Sequence, residues 1–473
     1  MRPRSKQLVV AIGLGTLLLA VIGFSFRGSP WKEVAPLPNP RVLHGAAVGW
    51  DGKIYVLGGF IIDKQGNHDE KREGAGTNAM VVYDPKTNRW EKHTLMSINR
   101  SYWHEVRRRR LHSYGGDIPG VSETHLLDDQ GVENLKRYGA NLKKSPISFD
   151  DLIFERFAIF HPVRGVIAIS QGHLFSEALA VAFDQQGKLY WIGGEQSGGM
   201  VNWVHVVETK SHRAPEDILS PPPMHHARAN HTARTGPDGK IYVVGGESAR
   251  DVPDKNHPWR PRGVVLDSLE VFDPETNTWT EKAPMHYARQ MHAAAFAPNG
   301  KLYVFGGYAD TEVLEGRAGD PDYNEQRVVE WDYHGRHPLS SVEAYDPKTD
   351  VWQEVTPMPL PRQNMGAALG SDGRIYVIGG FESYVGSTPP QKDVQIYDPR
   401  TDRWAEGPPL YTPRGGHTAV ATPGGKIYVI GGTNGVVIPS ISSMLFGGEP
   451  NSKGGPLDSV EVLDTARLAN EHD

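Results

Sequence analysis

One stretch of eight residues, Gly239-Lys-Ile-Tyr-Val-Val-Gly-Gly246, constrains this chain more than any other feature, because it keeps returning. Variants occupy 52–59, 187–194, 300–307, 373–380 and 425–432. Each is a tight turn, a short apolar run containing an aromatic, and two glycines. Alternating β-branched and aromatic residues after a turn read as a buried strand. The glycine pair ends it, because backbone without Cβ turns sharply or passes close to a neighbour. A unit this short cannot bury its own apolar faces, so the copies must stack against one another.

A full repeat is legible in 285–358. Arg289-Gln-Met-His292 opens a first strand of small residues, Ala293 to Ala297. A Pro-Asn-Gly turn leads to a second strand, Lys301 to Phe305, and the glycine pair. After a long loop come a third strand, Ser341 to Tyr345, an Asp-Pro-Lys-Thr turn and a fourth strand beginning at Trp352. Small residues in the first strand suit the crowded centre of a ring. The outer tryptophan is expected to fill the junction with the next unit. Four antiparallel strands with no helix between them make a propeller blade.

The two ends of the chain complete each other. Trp31-Lys-Glu-Val-Ala-Pro-Leu-Pro-Asn-Pro-Arg41 parallels Trp352-Gln-Glu-Val-Thr-Pro-Met-Pro-Leu-Pro-Arg362, so it is the tail of a repeat placed at the front. The last repeat stops after Ser459-Val-Glu-Val-Leu-Asp464 and lacks that tail. An N-terminal outer strand paired with the last three strands accounts for both, and it removes the open sheet edges.

The doubled glycines are matched downstream by Tyr83-Asp-Pro-Lys-Thr-Asn-Arg-Trp90, Phe272-Asp-Pro-Glu-Thr-Asn-Thr-Trp279, Tyr345-Asp-Pro-Lys-Thr-Asp-Val-Trp352 and Tyr397-Asp-Pro-Arg-Thr-Asp-Arg-Trp404. Over 31–96 and 176–464 the chain resembles the kelch repeat family, which implies an all-β kelch-type β-propeller. Between 97 and 224 it departs from the pattern. The candidate blade at 175–224 has Ser176 in place of the arginine, and Glu208-Thr-Lys-Ser without proline or tryptophan. Residues 100–136 could be a worn blade, although Glu105 and Arg107 to Arg110 fall where small or apolar residues belong. Counting it divides 31–464 into seven blades of about 62 residues, against six of about 72; the usual kelch period of about 50 favours seven, six clear plus one degenerate, with six as the alternative. Residues 137–175 read as an insertion. Within it, Ser148-Phe-Asp-Asp151 caps a short amphipathic helix through Phe149, Leu152, Ile153, Phe157 and Phe160, stopped by Pro162.

Before the repeats, a basic stub (1–7) with Arg2, Arg4 and Lys6 precedes the charge-free run Leu8 to Phe26, followed by a linker (27–30). At 1.5 Å per residue that run nearly matches the roughly 30 Å hydrocarbon core. It is longer than a secretory core, and Phe24-Ser25-Phe26 is a poor cleavage site, so a membrane signal anchor is expected over a removed signal peptide. The basic flank places the propeller, 31–467 with a short tail at 468–473, outside the cytoplasm: periplasmic or extracellular, or secreted if the segment is cleaved. A net charge of −6 gives no reason to expect nucleic acid. The absence of cysteine excludes disulfides and thiolate metal sites.

Strand direction selects one face for function. The turns between third and fourth strands are short and uniform, whereas the loops between second and third strands (60–79, 247–267, 308–340, 381–392 and 433–457) are long, varied and gathered on the opposite face. Arg41, Arg228, Arg289, Arg362 and Arg414 begin first strands near the mouth of the central channel. In the kelch family, residues just after the glycine pair also line this mouth; here they include Phe60, Glu195, Glu247, Tyr308, Phe381 and Thr433. Arginine beside carboxylates and aromatics suits a carboxylate-bearing or sugar-like ligand, although a positionally repeated arginine is more often a blade-to-blade hydrogen-bond donor than a ligand contact. His44, His231, His292 and His417 follow the arginine by three, with Met365 at the same place, and read as packing rather than as metal ligands. The acidic loop 310–325 lacks the spacing of a calcium loop. No cofactor, metal or catalytic residue is assigned. The expected function is a binding module for an unknown protein or glycan. The resemblance also admits a carbohydrate-active enzyme of the sialic-acid mutarotase type, using Glu195 or Glu247 with an arginine; a copper radical oxidase would need the missing cysteine.

Overall fold

A computed structural model describes residues 29–61, 79–94, 158–161, 165–169, 179–196, 199–208, 221–253, 261–310, 336–383, 388–435 and 455–469. The sheets of three or four strands among them are six antiparallel blades around one axis, and the rest are two-stranded ladders. Blade 1 runs Gly45–Val48, Ile54–Leu57, Ala79–Asp84 and Arg89–Thr94. Blade 2 shows three strands, Ala180–Phe183, Lys188–Ile192 and Val204–Glu208. Blade 3 is Thr232–Thr235, Ile241–Val244, Leu269–Asp273 and Thr278–Lys282; blade 4 is Ala293–Phe296, Leu302–Phe305, Val342–Asp346 and Val351–Val355. Blade 5 is Gly366–Leu369, Ile375–Ile378, Val394–Asp398 and Arg403–Gly407. Blade 6 combines Thr418–Ala421, Lys426–Ile430 and Val460–Asp464 with Trp31–Val34 from the front of the chain.

Burial along each strand follows from its distance to the axis. Second strands such as Ile241–Val244 and Ile375–Ile378 are buried at every position, because both faces pack on neighbouring blades; continuous apolar runs are what such a place requires. Outer strands such as Val351–Val355 are largely exposed apart from the tryptophan. First strands converge, so they hold small residues: a Cβ on Gly45 would come within 2.0 Å of the Val181 side chain in blade 2.

The ring closes as the two chain ends predicted. Trp31 pairs with Leu463, Lys32 with Val462, Glu33 with Glu461 and Val34 with Val460, antiparallel. The Trp31 indole N–H donates to the Pro408 carbonyl at 2.7 Å. Its counterparts Trp90, Trp279, Trp352 and Trp404 donate to Ala35, Pro222, Ala283 and Thr356. Each acceptor lies on the connector that leaves the preceding blade. The tryptophan therefore seals the junction behind its own blade, not the one ahead of it as expected.

Two further expectations are corrected. The ring has six blades, not seven. The first strands of blades 1 and 2 lie directly against each other, as Gly45 and Val181 show, so no sheet fits between them for 100–136. The charged Glu105 and Arg107 to Arg110, which lie outside the described residues, weighed correctly against a blade, and the spacing did not. Nor does a helix reach Pro162: Ala158–His161 pairs with Gly165–Ile169 as a hairpin. Ala-Ile-Phe-His and Gly-Val-Ile-Ala-Ile, on either side of Pro162-Val-Arg164 in the sequence, are runs of high β propensity. Residues 148–157 of that segment lie outside the described residues, as does Leu8 to Phe26. Among the described residues, no helix is long and apolar enough to cross a membrane.

Candidate functional site: the channel mouth

Five connectors lead into first strands with one pattern: Leu37-Pro-Asn-Pro-Arg41, Met224-His-His-Ala-Arg228, Met285-His-Tyr-Ala-Arg289, Met358-Pro-Leu-Pro-Arg362 and Leu410-Tyr-Thr-Pro-Arg414. Each arginine is at most 1% exposed. Its backbone carbonyl accepts the N–H of the second glycine of the preceding blade, as from Gly246 to Arg289 at 2.9 Å and from Gly432 to Arg41 at 2.9 Å. A side chain on the first glycine is excluded as well: a Cβ on Gly245 would meet the Arg289 carbonyl at 2.5 Å and the His292 ring at 2.7 Å. The glycine pair thus exists to let the next blade's arginine and histidine approach.

The guanidinium groups turn into the blade. Arg289 donates to the Gly306 carbonyl at 2.9 Å, to Ser341 Oγ at 3.0 Å and to Glu343 at 2.7 Å. Arg414 repeats this with Gly431, Ser459 and Glu461, and Arg228 with Gly245, Ser268 and Glu270. The same carboxylates accept two connector N–H groups: His286 and Tyr287 for Glu343, Tyr411 and Thr412 for Glu461, His225 and His226 for Glu270. Burial alone would raise the Glu343 pKa, but the His286 hydrogen bond and Arg289 outweigh it and hold it below the ordinary range. Where the connector has proline three residues before the arginine, one of those donors is gone and the carboxylate goes with it. Pro38 accompanies Val81, and Pro359 accompanies Gln395. Arg362 is instead paired with Asp393 and Glu382 at 2.7 and 2.9 Å. Arg41 has no carboxylate among the described residues. Among the described residues its guanidinium makes one bond, to the Gly58 carbonyl at 3.3 Å, and its Nε and Nη2 have no partner there; burial pushes its pKa down to about 10.

Two residues further on, Leu43, Asn230, Met291, Asn364 and Gly416 all have φ between 53° and 63°. For Leu43 and Met291 this left-handed conformation costs roughly 1–2 kcal/mol each. Their backbones offset it by joining head to tail around the axis. Met291 N–H donates to Asn230 O, Asn364 N–H to Met291 O, Gly416 N–H to Asn364 O and Leu43 N–H to Gly416 O, at 2.8–2.9 Å. This belt frames the mouth of an axial cavity of about 120 Å³. Outside the belt, the residue after each glycine pair bridges to the residue after each arginine: Glu247 to Ala229, Tyr308 to Gln290, Phe381 to Gln363 and Thr433 to Gly415.

Just inside the belt stand His44, His231, His292 and His417, each 4–6% exposed. Burial first, then the nearby arginine, keeps all four well below the usual imidazole range, His231 and His417 at about 3. Only weak opposition comes from carbonyls such as Ile430 beside His44 and Ile192 beside His231. Neither ring nitrogen of His44, His231 or His417 has a well-formed hydrogen bond. His292 Nε2 lies 3.0 Å from Thr232 Oγ1. Deeper in the cavity is Arg234, the one charged side chain among the described lining residues. Its Nε donates to the Ala294 carbonyl and its Nη1 to the Ala233 carbonyl, both at 2.8 Å.

Similarity to known proteins agrees with this geometry. Residues 259–444 match the model described as the KLHDC2/KLHL20/DRC7 Kelch-repeats domain, and 228–286 and 41–97 match two models of the kelch motif. The chain belongs to the kelch-repeat family. It is 29% identical to Kelch repeat and BTB domain-containing protein 12 of Danio rerio over 73% of this chain and 49% of that protein. Against Beta-scruin of Limulus polyphemus it is 32% identical over 46% of this chain and 20% of the relative. Against Kelch-like protein 36 of Bos taurus it is 29% identical over 44% and 28%. The kelch chain therefore spans about half the length of the first of these and much less of the others.

Within the kelch ring, the sequence-selected residues separate into two groups. Arg41, Arg228, Arg289, Arg362 and Arg414 carry the blade junctions and present no guanidinium to the mouth. Tyr308 and Phe381 are buried under it, the latter against Gly415. Glu247 is half-buried at the rim and accepts Asn230 Nδ2 at 2.8 Å. Glu195 pairs with Met200 through its backbone in the loop hairpin of blade 2. Arg234 was missed. Its signal was present in the repeat alignment, where Ala47, Ala182, Ala295, Ala368 and Val420 occupy the same position.

The two kinds of arginine should respond oppositely to removal of charge. Arg289→Met strands the Glu343 carboxylate in the interior and should cost about 3–5 kcal/mol. Arg41→Met leaves no opposite charge behind and should leave stability within about 1 kcal/mol of wild type; urea unfolding of both variants checks the contrast. The histidines set a pH dependence. Below about pH 6.5 the unfolded chain protonates them and the folded chain does not, so stability falls with pH. The loss reaches about 1.4 kcal/mol per pH unit for each histidine, and continues until His231 and His417 titrate near 3. His417→Met, which copies Met365, should remove roughly a quarter of that slope in urea midpoints measured from pH 7 to pH 5.

Proposed function

We propose that this kelch propeller is a protein-binding module that takes its partner on the loop-bearing face. The observation carrying this reading is a continuous crest on that face. The loop hairpin Glu247–Pro253 with Pro261–Val265 rises from blade 3, and Tyr308–Asp310 with Arg336–Pro338 rises from blade 4. Gly199–Met200 of the blade 2 hairpin lies against the first of these, and Pro261–Val265 lies against Tyr308–Asp310. Three variable loops on rigid sheets thus meet side by side around half of the mouth. A surface spread over three blades suits a protein better than a small ligand, which favours an enclosed recess. The opposite face offers short Asp-Pro turns of one design, such as Asp346 and Asp398 accepting Lys348 and Arg400 N–H.

The same proposal places the propeller outside the cytoplasm, held by Leu8 to Phe26. Its support is the charge-free run after Arg2, Arg4 and Lys6. The full chain should sediment with membranes and resist alkaline extraction, whereas a chain starting at Ser29 should not; full-length protein released by alkali would contradict the anchor. For the binding face, a photo-crosslinking residue at Ser248 or His337 should trap the partner in cells, and one at Lys86, Lys348 or Arg400 should not. Trapping only from the Asp-Pro turns would assign the other face.

A further inference from the structure

At one position of the first strand five blades carry a small side chain packed between blades, Ala47, Ala182, Ala295, Ala368 and Val420, and the sixth carries Arg234, which lines the axial cavity. The fold does not require it, since alanine serves in four sister blades. Arg234 has no carboxylate partner among the described residues, and no Asp or Glu is among the described residues lining the cavity. Two of its nitrogens are held by the Ala294 and Ala233 carbonyls, which fix the plane of the guanidinium. Nη2 has no protein partner among the described residues. Burial depresses the pKa of this group to about 10, and no neighbouring acid opposes the shift. A half-buried guanidinium with fixed orientation and no counter-charge among the described residues is the arrangement that recognises an oxyanion. At the belt above it stands Asn364, whose amide N–H among the described residues reaches the Met291 thioether at 3.3 Å, a weak acceptor that a ligand oxygen would displace.

We propose that the axial cavity binds one small oxyanion, a carboxylate or phosphate group, on Arg234. The cavity of about 120 Å³ has room for a group of a few heavy atoms. The anion arrives free in solution or as the carboxylate of an acidic side chain inserted through the mouth. The site rests on observations separate from the loop crest, so its failure would leave the crosslinking result unaffected.

The test uses the full chain in detergent, with Arg234→Ala and Arg234→Gln as variants; alanine already occupies this position in the sister blades, and Gln covers the case in which Ala fails to fold. Melting temperature is followed against inorganic phosphate, and separately acetate, at constant ionic strength set with chloride. Binding of a short glutamate-containing peptide and its glutamine counterpart is measured in parallel. Saturable stabilisation of wild type by phosphate or acetate, weakened at least tenfold in the variants, identifies a free oxyanion. Binding of the glutamate peptide alone, lost in the glutamine peptide and in the variants, identifies a side-chain carboxylate. Equal responses of wild type and variants to every probe, or no response of wild type to any, would overturn the proposal.

Discussion

Everything in this ring depends on the pairing of Trp31–Val34 with Val460–Asp464, residues from opposite ends of the chain. A six-bladed sheet array has no fixed radius until its last blade meets its first. Blade 6 without its N-terminal strand would bare an edge and two apolar faces at once. Trp31 and Leu463 pack with blade 5, while Val34, Val460 and Val462 pack with blade 1. The N-terminal strand thus contributes apolar contact to both neighbouring blades, through Trp31 on one side and Val34 on the other. The Leu37 N–H bond to Asp458 O and the Arg41 carbonyl bond from Gly432 N–H continue the closure up to the mouth.

Above that closure, each junction is a small variation on one polar tie. The arginine carbonyl receives a glycine N–H from the blade behind, and in all but Arg362 the guanidinium reaches a glycine carbonyl of its own blade. A buried carboxylate is tolerated there only when backbone N–H groups and the guanidinium satisfy it together. The coincidence of Pro38 with Val81 and of Pro359 with Gln395 follows from that requirement. It also explains why Arg41 is left with a single bond. The mouth thus emerges as a belt of backbone hydrogen bonds. The chemistry it offers to a ligand lies in what interrupts the repeat rather than in what the repeat conserves from blade to blade.

The strand order, the closing strand and the loop-bearing face were all legible in the sequence, because a repeated pattern reports the environment shared by its copies. The blade count was not, because spacing along the chain says nothing about whether Gly45 touches Val181 in space. The tryptophan's direction was hidden for a similar reason: Trp352 marks an outer strand, but only coordinates show that its N–H meets Ala283 behind it. For the arginines, a repeated position gave the start of a first strand without the direction of the side chain. Phe157 and Phe160 fit a helical spacing, yet Ile159 and the run Gly165–Ile169 favour extended chain around Pro162. Arg234 was visible as a departure from a column of alanines, and repetition drew attention away from it.

The chain contains no cysteine, so a pair introduced at Lys32 and Val462 reports on closure alone. These residues stand directly opposite each other, and opposed antiparallel residues have Cα separations of about 4.5–5.5 Å, within the range a disulfide spans. Mild oxidation of folded Lys32→Cys/Val462→Cys protein should give a monomeric, internally crosslinked chain that unfolds more slowly than its reduced form. Two free thiols persisting in folded protein under the same oxidation would contradict a ring closed by the N-terminal strand.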